Sequence, residues 1–139
     1  MSSAKMMETL ADYRVSNGRS DLESARRTLK AEAQGLEALS ASLGEAFIRA
    51  VDQLEQTGGR VIVTGMGKSG HIACKIAATL ASTGTPAQFV HPAEASHGDL
   101  GMITRKDAII ALSNSGNTLE LGSIIAYSRR FEIPLLAIT

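Results

Sequence analysis

Apolar residues at Leu22, Ala25, Leu29, Leu36, Leu39, Leu43, Phe47, Val51 and Leu54 recur in steps of three, four and seven. That spacing describes one face of a long helix. Ser20-Asp21-Leu22-Glu23 has the S-x-x-E form of a capping box and marks the expected start. Residues 1–19 show no sustained periodicity and read as a flexible tail. Gly35 and Gly44 each weaken the helix by about 1 kcal/mol relative to alanine where exposed, so a kink or a close helix contact belongs there. Thr57-Gly58-Gly59 supplies the stop, with glycine near the C-terminal cap.

From Arg60 the rhythm changes to short apolar runs alternating with helical stretches. Strands are predicted at 60–64, 87–90, 108–112 and 133–138, and helices near 69–82 and 118–130. A loop rich in His, Pro and Gly covers 91–104, with room for one helical turn. Strands that are continuously apolar and alternate with helices imply a parallel sheet covered on both faces. The expected fold is α/β, a three-layer α-β-α arrangement over residues 20–139, preceded by the long N-terminal helix. Ligands of such sheets bind beyond the carboxyl ends of the strands. The chain ends at Thr139 on a strand, where a parallel α/β domain ordinarily returns with another helix, so the domain reads as incomplete at its C-terminal end.

The 139 residues suffice for one compact domain, and 44% hydrophobic with 20% charged residues describes a globular chain. Fourteen basic and fourteen acidic side chains cancel, so no global field favours nucleic acid or an anionic membrane. No apolar segment approaches the roughly 20 residues of a membrane span, and the first 19 residues lack a signal-type apolar core. The single cysteine, Cys74, excludes an internal disulfide and suits a reducing cytoplasm. Its apolar helical surroundings predict a buried, inert thiol.

Candidate chemistry concentrates in three loops. Gly65-Met66-Gly67-Lys68-Ser69-Gly70 joins a strand to a helix, the design in which glycines and free helix N–H groups receive an anion. It fails as a Walker A loop, since the first glycine of G-x-x-x-x-G-K-[ST] would fall at Ile62. It matches the dinucleotide pattern G-x-G-x-x-G, but the second strand ends Phe89-Val90-His91-Pro92 without the acid that grips a ribose. Ser113-Asn114-Ser115-Gly116-Asn117-Thr118 groups three hydroxyls around a glycine, more than a helix cap needs, and can donate several hydrogen bonds to a phosphate. His91-Pro92-Ala93-Glu94-Ala95-Ser96-His97-Gly98-Asp99 holds two of the three histidines, a polar loop or part of a metal site. His71 reads as structural, and Glu120 either complements a helix dipole or supplies a base to the same pocket.

Together these blocks, with Ala81-Ser82-Thr83-Gly84-Thr85-Pro86, resemble the sugar isomerase (SIS) domain, and within it the arabinose-5-phosphate isomerases. The resemblance runs from about residue 22 to the end. It implies a cytoplasmic homotetramer that interconverts ribulose 5-phosphate and arabinose 5-phosphate, a step toward the lipopolysaccharide sugar Kdo. By resemblance Ser113, Ser115 and Thr118 bind the sugar phosphate, and Gly84, Thr85, His91, His97 and Asn114 contact substrate. Lys68 and Glu120 match the family's catalytic lysine and glutamate, and His91 can also take a zinc ion that the chemistry does not require. Where the family commonly follows its serine loop with Glu-Ser or Glu-Thr, this chain has Asn117-Thr118. The family domain also continues past this point, often into paired CBS modules, so the chain alone is expected to bind substrate but turn over poorly.

Aldose–ketose isomerisation moves a proton between C1 and C2 through an enediol(ate), and needs a base and an oxyanion partner. Lys68 suits the oxyanion or the phosphate, and Glu120 or His97 the proton. The competing readings are a non-catalytic SIS module that senses a phosphosugar and an oligomerisation remnant. A transcriptional sensor would carry a helix-turn-helix, and residues 1–59 offer one long helix without a basic cluster.

Overall fold

The computed structural model describes residues 3–139, with side chains from Arg19 onward. It divides into two compact units, Met1–Gly44 and Glu45–Thr139. The first is the helix α1, Ser3–Ser42. It starts upstream of the Ser20 capping box, which therefore lies within the helix instead of opening it. No proline interrupts this stretch, so nothing local forces a start at Ser20. The tail expected over 1–19 is helical backbone from Ser3, and residues 1–2 are outside the described residues. Of the two glycines flagged, Gly35 is inside α1 and Gly44 lies in the break between α1 and α2, Glu45–Glu55. Leu22, Leu29, Leu36, Leu39 and Leu43 of the first unit are all exposed.

The second unit holds β1 (Val61–Gly65), α3 (Gly67–Ser82), β2 (Ala87–Phe89), α4 (Pro92–Ser96), β3 (Ala108–Leu112), α5 (Gly122–Phe131) and β4 (Leu135–Ile138). Short 3-10 turns cover Asp99–Met102 and Leu119–Leu121. All four strands are parallel, in the order β2-β1-β3-β4. The loop expected at 91–104 thus holds two helical turns, and the last strand begins after Pro134, which has no N–H for a ladder.

β1 and β3 are buried at every position because the sheet is covered on both faces. Their alternation sorts the core into two. Ile62 and Ile109 pack with Ala95 of α4, Ile124 of α5, Val90, Ile103 and Ile133. Val61, Val63, Ile110 and Leu112 pack with Ala73 and Ala77 of α3, and Leu54 of α2 joins them. Successive side chains of a strand point to opposite faces, and this assignment gives the three layers.

α3 approaches the sheet through small residues, Gly70, Ala73 and Ala77. Cys74 falls beside that stripe and is exposed, contrary to the buried thiol expected from its apolar neighbours. The narrow, small-residue seat of α3 leaves its larger side chains at the rim.

The amino edge of the sheet is tied by Asp107, which is buried. Its carboxylate accepts from the N–H groups of Arg60 and Thr104, each at 2.7 Å, and from the Thr104 hydroxyl at 3.0 Å. The Arg60 guanidinium stands 3.7 Å away and donates to Gln88 Oε1 and the Met102 carbonyl. Burial pushes the Asp107 carboxyl up, but these hydrogen bonds and the Arg60 charge together outweigh it and hold its pKa below the ordinary value.

Candidate functional site

The strand order has one reversal point. From β1 the chain turns into α3 on one face, whereas from β3 it turns into the 3-10 turn and α5 on the other. This reversal falls between β1 and β3, and the space beyond their carboxyl ends is the usual ligand position in an open parallel sheet. The Gly65–Gly70 turn and the Ser113–Thr118 loop leave the carboxyl ends of these two strands, and the His91–His97 block leaves the adjacent end of β2.

The first turn is tight because two glycines permit it. A Cβ on Gly70 would come within 2.7 Å of the Gly65 carbonyl, and Gly67 has φ +53. Met66, the N-cap of α3, makes no side-chain capping bond. No side chain therefore caps the first turn of a 16-residue helix, and its N–H groups carry the positive end of the dipole. Lys68 lies in that turn, exposed.

Ser113 leaves β3 buried, with its N–H on the Ile138 carbonyl at 3.0 Å. Its hydroxyl lies 2.7 Å from that of Thr118. The Ser115 hydroxyl accepts from Asn117 N–H at 3.2 Å, which leaves its own proton free to donate outward. Gly116 turns the loop at φ +64. Neither Ser115 nor Thr118 caps a helix through its side chain, so capping does not account for this cluster. Asn114 and Ser115 are exposed, and Glu120 is exposed in the following 3-10 turn.

His91 is the N-cap of α4, ahead of Pro92 at the first helical position. Its Nδ1 accepts from Ala93 N–H at 3.3 Å, and its ring meets Phe89 edge-on at 6.2 Å between centroids. His91, Phe89, Gly67, Gly70, His71 and Cys74 line one pocket of about 290 Å³. His97, exposed, ends α4. The Ser96 hydroxyl donates to that of Ser123 at 3.1 Å and ties α4 to the start of α5.

Gly84 and Thr85 are not brought to this edge. They lie between the end of α3 and the start of β2, where Val61 N–H bonds the Pro86 carbonyl. That is the amino edge, and a five-residue strand at about 3.3 Å per residue separates it from Lys68 by about 16 Å. The fold gathers Lys68, His91, His97, Ser113, Asn114, Ser115, Thr118 and Glu120 at one edge and leaves Gly84 and Thr85 at the other.

For zinc, the donor set is poor. Ala93 N–H occupies His91 Nδ1, leaving one ring nitrogen. Among the described residues no three His, Cys, Asp or Glu side chains converge. A zinc site needs three or four protein ligands, so the described residues do not by themselves fit a resident zinc ion.

The model of the SIS domain matches residues 53–139, more than half of the sequence. The chain belongs to the SIS domain family. The chain is 52% identical over 118 residues to arabinose 5-phosphate isomerase KdsD of Pseudomonas aeruginosa. That match covers 85% of this chain and 36% of the relative, so the chain spans about a third of the length of the curated relatives it matches. Among solved structures, c3406 of E. coli CFT073, in complex with arabinose 5-phosphate, superposes with a TM-score of 0.76 at 33% identity, covering 99% of this chain and 65% of that one. Tagatose-6-phosphate ketose/aldose isomerase of Escherichia coli superposes with a TM-score of 0.59 at 26% identity, covering 76% of this chain and 29% of that one. Among the described residues of the SIS domain, no helix is long and apolar enough to cross a membrane.

Sequence reasoning missed the Thr64 hydroxyl, which donates to the Val90 carbonyl at 2.8 Å in the interior. It also missed the Ser96–Ser123 link. A threonine closing an apolar strand was the one visible signal for the first. The second joins residues 27 apart in sequence and had none.

Proposed function

We propose that this protein is a phosphosugar aldose–ketose isomerase that interconverts D-ribulose 5-phosphate and D-arabinose 5-phosphate through an enediol(ate). The observation that carries this reading is the convergence of Lys68, the hydroxyl loop and the His91–His97 block on one carboxyl edge. The KdsD relative, named as an arabinose 5-phosphate isomerase, supports the choice of pentose.

In this reading the phosphate rests on the Ser113–Thr118 loop, with Ser115 donating and the Gly116 turn shaping the backbone around it. That remote grip positions the reacting carbons. Lys68 carries positive charge to the oxygen that becomes anionic in the enediolate. Glu120 or His97 moves the proton between C1 and C2, both being exposed at the carboxyl edge. No cofactor is required by this chemistry. The proposed setting is cytoplasmic, with the aldose product passing toward Kdo. A homotetramer is proposed as well, supported by the exposed leucine stripe of α1. If Gly84 and Thr85 touch substrate, as the family resemblance implies, they do so in the site of another copy.

Incubation with D-ribulose 5-phosphate, followed by proton NMR, tests the reading through the anomeric signals of an aldose 5-phosphate. Their absence, with phosphosugar binding intact, would favour a non-catalytic phosphosugar-binding module, for which the exchange of the family's loop acid for Asn117 is the specific observation.

A further inference from the structure

Thr64 has no accessible surface and sits on β1, between β2 and β3. A hydroxyl on a central strand costs about 1–3 kcal/mol if it has no partner, so its bond matters. β1 and β2 pair through Val63 and Phe89, and Val90 N–H makes the next bond, to the Val63 carbonyl at 3.0 Å. The Val90 carbonyl then receives the Thr64 hydroxyl at 2.8 Å, a side-chain bond that continues the attachment past the end of the paired strand. One residue later the chain leaves the sheet at His91.

That ring is held at two points. Ala93 N–H donates to Nδ1, and the Phe89 ring lies against it. A neutral imidazole that accepts at Nδ1 carries its proton on Nε2, so His91 faces the pocket as a donor. The pocket wall opposite is the Gly67–Gly70 turn that delivers Lys68.

We propose that Thr64 is a positioning residue that anchors the Val90–His91 peptide and thereby aims the His91 Nε2–H at an oxygen of the ligand held over the glycine turn. The proposal rests on the phosphosugar reading for the identity of that ligand. The anchor itself does not depend on it. Thr64 also adjoins Gly65, so one residue couples the turn bearing Lys68 to the loop bearing His91.

The test compares Thr64→Val, which keeps the shape and removes the hydroxyl, with Thr64→Ser, which keeps the hydroxyl and removes a buried methyl. Ring-nitrogen NMR of His91 at neutral pH, assigned with His91→Gln, reads the tautomer. Calorimetry reads affinity for D-arabinose 5-phosphate. Wild type and Thr64→Ser should show the Nε2-protonated ring and affinities within about twofold. Thr64→Val should show a mixed tautomer and about tenfold weaker binding, the loss of one hydrogen bond's worth of positioning. Wild-type spectra and affinity in Thr64→Val would overturn the proposal. So would an equal loss in both variants, because the methyl would then account for it. Should wild type bind no phosphosugar, the functional reading fails, and the His91 tautomer alone decides the role of Thr64. If Thr64→Val does not fold, Thr64→Ala against Thr64→Ser gives the same comparison.

Discussion

The hydroxyls of Ser113 and Thr118 lie 2.7 Å apart, the first buried at the end of β3 and the second opening the turn that carries Glu120. One of them must donate to the other, so the pair fixes the loop, and the accepting hydroxyl keeps its own proton beside the outward donors of Ser115 and the backbone. Thr118→Val leaves the buried Ser113 hydroxyl without this partner. It should lower stability by about 1–3 kcal/mol and weaken phosphosugar binding about tenfold. Urea unfolding and calorimetry check the two effects, and no change in either would show that the pair does not organise the loop.

The tight turn before Lys68 depends on Gly70. Gly70→Ala brings a methyl within 2.7 Å of the Gly65 carbonyl, backbone against backbone, where neither side rotates away. A cost of about 1–3 kcal/mol is expected from the forced shift. Gly84→Ala would not crowd anything, since no heavy atom lies within 4 Å of its Cβ position, and its strain comes from φ +97 alone. Equal stability of wild type and Gly70→Ala by thermal unfolding would contradict the close approach.

Much of the fold was legible because its signals are local. The apolar run Ala108–Leu112 coincides with β3, and glycine turns mark the ends of α3. The serine loop and the His91 block stood out by composition, and the parallel topology then carried both to the carboxyl edge. The α1 start was not legible, because a capping box pattern does not break a helix that upstream residues continue. Cys74 was misjudged since apolar neighbours along a helix do not say which face meets the sheet. The Thr64–Val90 bond spans 26 residues and needed the strand register.

Asp107 gives the fold an acid limit. Its pKa is lowered in the folded state, below the unfolded value of about 3.9. The stabilisation is therefore fully present above that value and is lost as pH falls through the folded pKa. Urea midpoints followed by circular dichroism should be nearly constant from about pH 7 to pH 5 on this account and decline below about pH 4. Asp107→Asn should cost about 1–3 kcal/mol at neutral pH and weaken the acid dependence. An unchanged acid profile in that variant would remove Asp107 from the explanation.

Lys68 is exposed, with no acid in ion-pair contact among the described residues. Its charge is thus free for a ligand. Lys68→Met should lower kcat for pentose phosphate isomerisation by about a hundredfold or more, with KM changed only a few-fold, if it stabilises the developing oxyanion. A large rise in KM with kcat preserved would assign Lys68 to the phosphate instead.

The central claim, a phosphosugar site built by the carboxyl-edge loops, is tested most directly by calorimetric titration of the chain with D-arabinose 5-phosphate and with D-arabinose. The account predicts saturable binding of the phosphorylated sugar, at least about tenfold weaker in Thr118→Val, and no measurable binding of the free sugar. Equal affinity for the two sugars, or no binding of either, would contradict it.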